Sequence, residues 1–249
     1  PRLAAVALGV SGFASLTLQV VWTRLLVQIL GPTTYAFSTV VAIFIIGIAI
    51  GAAVASRLAS RPSTAAIGLV FTLLLSAACA MGAAAAVDWA LLAIGGIVTH
   101  PEYTFGDVLR REVLLVATLL LPMTIVFGAA FPFGLALAGG RDDRVTEQIG
   151  LVYAINTLGA ILGSLLAGFA LIPAVALHRT IQFVAALSVV AAVAVLLRAA
   201  YGRARLIGCV AAAAVVAVIV LAPTWTPSLL SSGAYKYAPA MRGAELKTA

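Results

Sequence analysis

The residues able to do chemistry in this chain are few, and the first group sits where a charge is least expected. The stretch LQVVWTRLL, residues 18–26, is apolar except for Gln19, Thr23 and Arg24. Ser11, Ser15, Gln19 and Thr23 recur every four residues, so in a helix they share one face. Arg24 and Gln28 form a second i, i+4 pair beside it. An arginine at mid-helix in lipid costs about 3 kcal/mol even on the lenient insertion scale, so it needs a partner or an escape. In one reading Gln19 and Arg24 face an internal cavity, where Arg24 holds an anion or a loop carboxylate such as Asp107. In the other, Arg24 snorkels to the far interface, with Trp22 as an aromatic anchor beside it. Asn156 and Thr157 are the polar exceptions in a later apolar stretch. They can line the same cavity, or bond across helices at about 0.6 kcal/mol each.

The other reactive side chains do not assemble into sites. His100 and His178 have no Cys or His neighbour in sequence, and a metal or haem centre needs more ligands than one histidine. Both read better as interfacial residues. Cys79 and Cys209 lie in separate predicted helices without a C-x-x-C pattern, and read as core thiols. The Asp142-Asp143 pair is flanked by Arg141 and Arg144, a solvated loop of compensating charges rather than a proton-transfer site. No Ser-His-Asp pattern, phosphate loop, metal-ligand cluster or G-x-G-x-x-G is present. This segment is therefore expected to hold no catalytic residue, no metal and no cofactor.

The elements that carry these residues follow from composition. The chain is 63% hydrophobic and 9% charged, with a mean hydropathy of +1.17. Soluble domains are nearer one quarter charged, so this is an all-α integral membrane protein. Uncharged stretches run over 3–23, 25–56, 62–87, 113–140, 148–177, 180–197 and 206–235. About 20 apolar residues in a helix cross a bilayer, and Gly31-Pro32 divides the second stretch. Helices are predicted at about 3–30, 33–56, 64–87, 110–138, 150–172, 180–198 and 205–222, a bundle of about seven spans. The runs do not alternate, which argues against a barrel. The first run lacks the basic n-region of a cleaved leader and is too long for its apolar core.

Loops and packing motifs complete the outline. The loop 88–112 is the longest connection; its apolar first half is too short to span and is expected to lie in the interface or re-enter. Pro122 and Pro132 favour kinks in the fourth span. Gly47 and Gly51, and Gly159 and Gly163, are GxxxG pairs suited to close helix packing. The net charge of +7 is distributed as a membrane protein distributes it, not as a nucleic-acid footprint. With the N-terminus inside, Arg2, Arg57, Arg61, Arg141, Arg144, Arg198, Arg203 and Arg205 lie on the cytoplasmic side, against Arg110, Arg111 and Arg179 opposite. YAFSTVVA at 35–42 is similar to YAINTLGA at 153–160, which suggests a 3+3 inverted repeat resembling half of a major facilitator fold. Residues 1–222 form the membrane domain, and 223–249, rich in Pro, Ser and Gly, read as a linker after which the natural chain is expected to continue.

Several stretches in order resemble one family. SGFASLTLQVVWTRLL, GPTTYAFSTVVAIFIIGIAIGAAVASRLASR, GAAFPFGLALAGGRDDRVTEQIGLVYAINTLGAILGSLLAGF and LLSSGAYKYAP are similar to the membrane half of bacterial spermidine synthase-like proteins. The resemblance covers nearly the whole chain. It implies a soluble aminopropyltransferase-type domain beyond the segment SGAYKYAP, with an S-adenosyl-type donor used only there. GAAVASRLASR also faintly resembles the major facilitator loop motif, with Ser60 near the place of its acidic residue. The expected role is to anchor or present the soluble domain in the bacterial inner membrane. Two alternatives stand beside it: a half-transporter of a polyamine, and an accessory subunit of a larger membrane assembly. Expected partners are the lipid bilayer, the soluble domain, other membrane subunits or a second copy of the chain, and no nucleic acid. Seven spans would put the residues after 222 outside, where an S-adenosyl donor is not expected; either the last run does not cross or the attached domain has changed its cofactor.

Overall fold

In the computed structural model, the residues described are 2–59, 62–138, 145–199, 202–226, 230, 233 and 235. Among them every regular element is helical: α1 Arg2–Leu30, α2 Thr34–Leu58, α3 Pro62–Ala85, α4 Val87–Val98, α5 Phe105–Ala138, α6 Val145–Leu166, a π-helical turn Ala167–Leu171, α7 Ile172–Ala199 and α8 Gly202–Leu221. Six helices are long and apolar enough to cross a membrane, one of them the 54-residue run Thr146–Ala199. The chain is a multi-pass, all-α membrane bundle.

Local sequence explains where the elements stop and start. Gly31, at φ 93°, ends α1, and the Thr33 hydroxyl caps α2 by accepting from the Ala36 amide at 3.1 Å. Helix α5 begins at Phe105, five residues earlier than predicted. The cause is a capping box: the Asp107 carboxylate accepts from the Thr104 amide and hydroxyl, at 3.1 and 2.7 Å. The 88–112 connection is not a plain loop. Its first part forms the 12-residue α4, which buries Val87, Ala90, Leu91 and Ile94 and leaves Trp89 exposed. At about 18 Å, α4 is too short to cross the hydrocarbon core.

Two parallel helix pairs organise the bundle, each joining a more buried helix to a more exposed one. Helix α1 lies along α6 with Gly9 against Gly159, Phe13 against Gly163 and Thr17 bonded to the Gly163 carbonyl at 3.1 Å. Helix α2 lies along α5 with Gly47 against Thr124 and Gly51 against Ile125. In both pairs the numbers rise together, so the partners point the same way. Helix α8 runs antiparallel to α7: Gly208 faces Leu196, and the Gln182 amide donates to the Ile219 carbonyl at 3.0 Å.

The predicted break between the fifth and sixth spans, 173–179, is present as a one-residue kink rather than a loop: two helical segments meet inside the run 145–199, and the chain reverses between them. Gly168 lies beside Arg24 near the far end of α1, whereas Leu196 shares a cleft with Ala66 and Ala204 near the starts of α3 and α8. The reversal falls at Ala176, with φ 65° and ψ 172°. Such backbone is rarely adopted by a residue bearing a Cβ.

Candidate functional site

Arg24 answers to a defect in the helix opposite. In an α-helix the Gly168 carbonyl would accept from the Ile172 amide, but that amide donates to Ala167 instead. The next residue, Pro173, has no amide proton to offer. The π turn Ala167–Leu171 thus sits directly before a proline and leaves the Gly168 carbonyl without a donor from its own helix. Arg24 Nη2 lies 3.5 Å from that oxygen, a long, charge-assisted contact across 144 residues of sequence. The rest of the Arg24 side chain is exposed at the bundle surface.

Arg24 and Asn156 do not meet in one place. Asn156 lies three turns below Gly168 on the same helix run, facing Gly12 of α1. With Ser11, Ser15 and Tyr153 it lines a cleft of about 300 Å³ between α1, α2, α5 and α6. Gln19 and Arg24 are not among the residues lining that cleft. Gln19 is half-buried, and its backbone carbonyl accepts from the Thr23 hydroxyl at 2.7 Å. Thr157 is exposed on α6. Trp22, expected as an interfacial anchor, is instead fully buried, because it shares the inward face of α1 with Leu18, Leu25 and Leu26. Its indole nitrogen has no partner among the described residues.

The four glycines of the packing motifs all sit at close helix approaches. A Cβ on Gly51 would fall on the Ile125 carbonyl, one on Gly159 on the Gly9 carbonyl, and one on Gly163 on the Phe13 carbonyl. At Gly47 it would meet the Thr124 hydroxyl. The aromatic groups at the opposite end from the N-terminus make their own contacts. His100 stacks on Tyr103 at 3.8 Å, and the Arg111 guanidinium lies 4.1 Å from the same ring. His178 packs edge-on against Trp225 at 5.0 Å. Among the described residues no group of His, Cys, Asp or Glu is placed to hold a metal.

Two features escaped sequence reasoning. One is the clamp on the segment leaving α8: Trp225 Nε1 donates to the Ala84 carbonyl at 2.7 Å, and the Thr226 hydroxyl donates to Asp88 at 2.8 Å. The other is the make-up of the polar cleft: the shared face of Ser11 and Ser15 and the polar Asn156 were readable, but not that Tyr153 joins them or that Gln19 and Arg24 lie outside it. Asp142, Asp143, Arg61, Ser60 and most of 223–249 lie outside the described residues. Compared with known proteins, the chain matches no family model, no curated protein and no solved structure.

Proposed function

We propose that this chain is the membrane domain of a spermidine synthase-like protein of the bacterial inner membrane, serving to anchor and present a soluble domain. The ordered sequence blocks ending in SGAYKYAP motivate this reading. The observation that carries it is the clamp after α8. Trp225 and Thr226 are held to Ala84 and Asp88, so whatever follows is given a fixed exit from the bundle rather than a free tether. The decisive experiment is an aminopropyl-transfer assay on the 249-residue chain, with a version carrying the synthase-like domain as control. The short chain is expected to show no turnover. Turnover that is abolished in an Asp142→Asn, Asp143→Asn variant would overturn the anchor role.

The finer architecture belongs to the same proposal. The reversal at Ala176 splits the 54-residue run into two crossings, which with the other five helices makes seven. The N-terminus is then cytoplasmic by the distribution of arginines, and α8 carries the exit segment to the outer face. A domain presented there meets no cytoplasmic S-adenosyl pool, so the reading includes a changed or lost cofactor. The 3+3 inverted repeat gains support from the packing. Exchanging α1 with α5, α2 with α6 and α3 with α7 maps the α1–α6 pair onto the α5–α2 pair.

A further inference from the structure

The cleft between α1, α2, α5 and α6 contains an anomaly in hydrogen bonding. The other buried hydroxyls are satisfied: Thr72, Ser76, Thr124, Thr180 and Ser188 turn back to carbonyls of their own helix, and Thr17 reaches Gly163. Ser11 and Ser15 are only 5% and 7% exposed as whole residues, yet neither makes such a bond among the described residues; their oxygens are not sealed in like the unpaired Trp22 nitrogen but reach the open space of the cleft. Both line the cleft, facing the Asn156 side of α6. They stand 9 and 13 residues after Arg2, about 14–20 Å along the helix, near the middle of a core about 30 Å thick. Unsatisfied hydroxyls at that depth are unfavourable unless something accepts or donates there.

We infer that this cleft binds an uncharged, membrane-dissolved amphiphile whose small oxygen-bearing head meets Ser11, Ser15 and Asn156. Three observations set the chemistry. The lining carries hydroxyl and amide groups but no Asp, Glu, Lys, Arg or His, so a polyamine or an anion finds no counter-charge. Phe127 and Phe131 form an apolar wall, with Phe131 edge-on to Tyr153 at 6.2 Å, suited to a hydrocarbon body. Tyr153 is 62% exposed at the side of the cleft, so the cleft is open along its flank, roughly 12 Å along α6 from its start, a depth at which a bilayer would surround the bundle. The volume of about 300 Å³ accommodates a headgroup and the start of a chain, not a whole lipid. The inference stands apart from the anchor reading and does not depend on it.

The test uses the purified chain in nanodiscs, with two neutral probes that separate the sources of such a head: dioctanoylglycerol for a glycerolipid and decylubiquinone for a carbonyl-bearing quinone. Spermidine serves as the charged control. Saturable binding of one neutral probe and none of spermidine is expected. The Ser11→Ala, Ser15→Ala variant should weaken that probe about tenfold or more, the loss of one to two hydrogen bonds, while its ligand-free melting temperature is unchanged or higher. Ala52→Leu, which fills the cleft and keeps both hydroxyls, should also abolish binding. Equal affinity in wild type and the double variant would overturn the site, as would saturable binding of neither probe. A double variant that melts well below wild type without ligand would likewise overturn it, by showing that the hydroxyls serve the fold.

Discussion

At the scale of single residues, Arg24 and Pro173 form one device. The proline removes a donor, the helix adjusts by a π turn, and the guanidinium accepts the role of donor to Gly168. Arg24→Leu should therefore lower stability by about 0.6–1.5 kcal/mol, the range between a membrane side-chain bond and a charge-assisted one. In a Pro173→Ala background the same change should have little effect, because Ile172 and Gly168 can then pair within a regular helix. A double-mutant cycle by thermal unfolding in detergent checks this; additive effects would separate the two residues. Ala176 gives a second test. Its φ of 65° suits glycine, so Ala176→Gly should raise stability by about 1 kcal/mol in the same assay. The sequence made Arg24 conspicuous, but not its partner. The acceptor is a backbone carbonyl, and carbonyls have no letter in a sequence.

At the scale of elements, spans were readable wherever charge marks their ends, and misjudged where hydrogen bonding decides. Arg179 suggested a break between two helices at 173–179, and the chain does turn inside that interval, but at the single residue Ala176, an alanine that carries no turn signal, rather than through a loop. Thr104 and Asp107 moved the start of α5, a pattern visible as T-x-x-D once the helix is placed. Asp107 lies outside the uncharged stretch, and its carboxyl is held below the usual range by the Thr104 side-chain and backbone bonds, with Arg110 and Arg111 assisting. The depressed value means that the cap is fully formed above the ordinary Asp range of about 4, and is lost as pH falls through the lower, folded value. Hydrogen exchange of the first α5 turn, corrected for its intrinsic pH dependence, should rise there in wild type and be pH-independent in Asp107→Asn. Packing contacts are equally testable. Gly51→Ala and Gly163→Ala should destabilise by about 1–3 kcal/mol, since a methyl would strike a carbonyl of the facing helix. Gly82→Ala, with nothing within 4 Å, should be neutral or better.

At the scale of the molecule, the exposed and buried faces follow from which helices are central. Helix α1 is largely buried, whereas α2 and α8 present most of their apolar surface outward. In a bilayer that surface is solvated by lipid. The topology makes one prediction for the whole chain. In a background without Cys79 and Cys209, Thr99→Cys and Asp142→Cys should react with an impermeant thiol reagent from opposite sides of the membrane. Reaction from one side alone would refute seven crossings. The all-helical, multi-pass outline was legible from hydropathy alone, because lipid permits few backbone solutions. The pairing of α1 with α6 was not, since glycine motifs show that a helix has a close partner without naming it.

That pairing has a consequence for how the protein is made. Thr17 and the Gly163 carbonyl are 146 residues apart, so at roughly 5–20 residues per second a ribosome needs about 7–30 s to deliver the second after the first. Through that interval α1 waits with Ser11, Ser15 and Thr17 turned toward a neighbour not yet synthesised. A helix made well before its partner is thus completed late, and the nascent chain depends on whatever shelters the polar flank of α1 until α6 arrives.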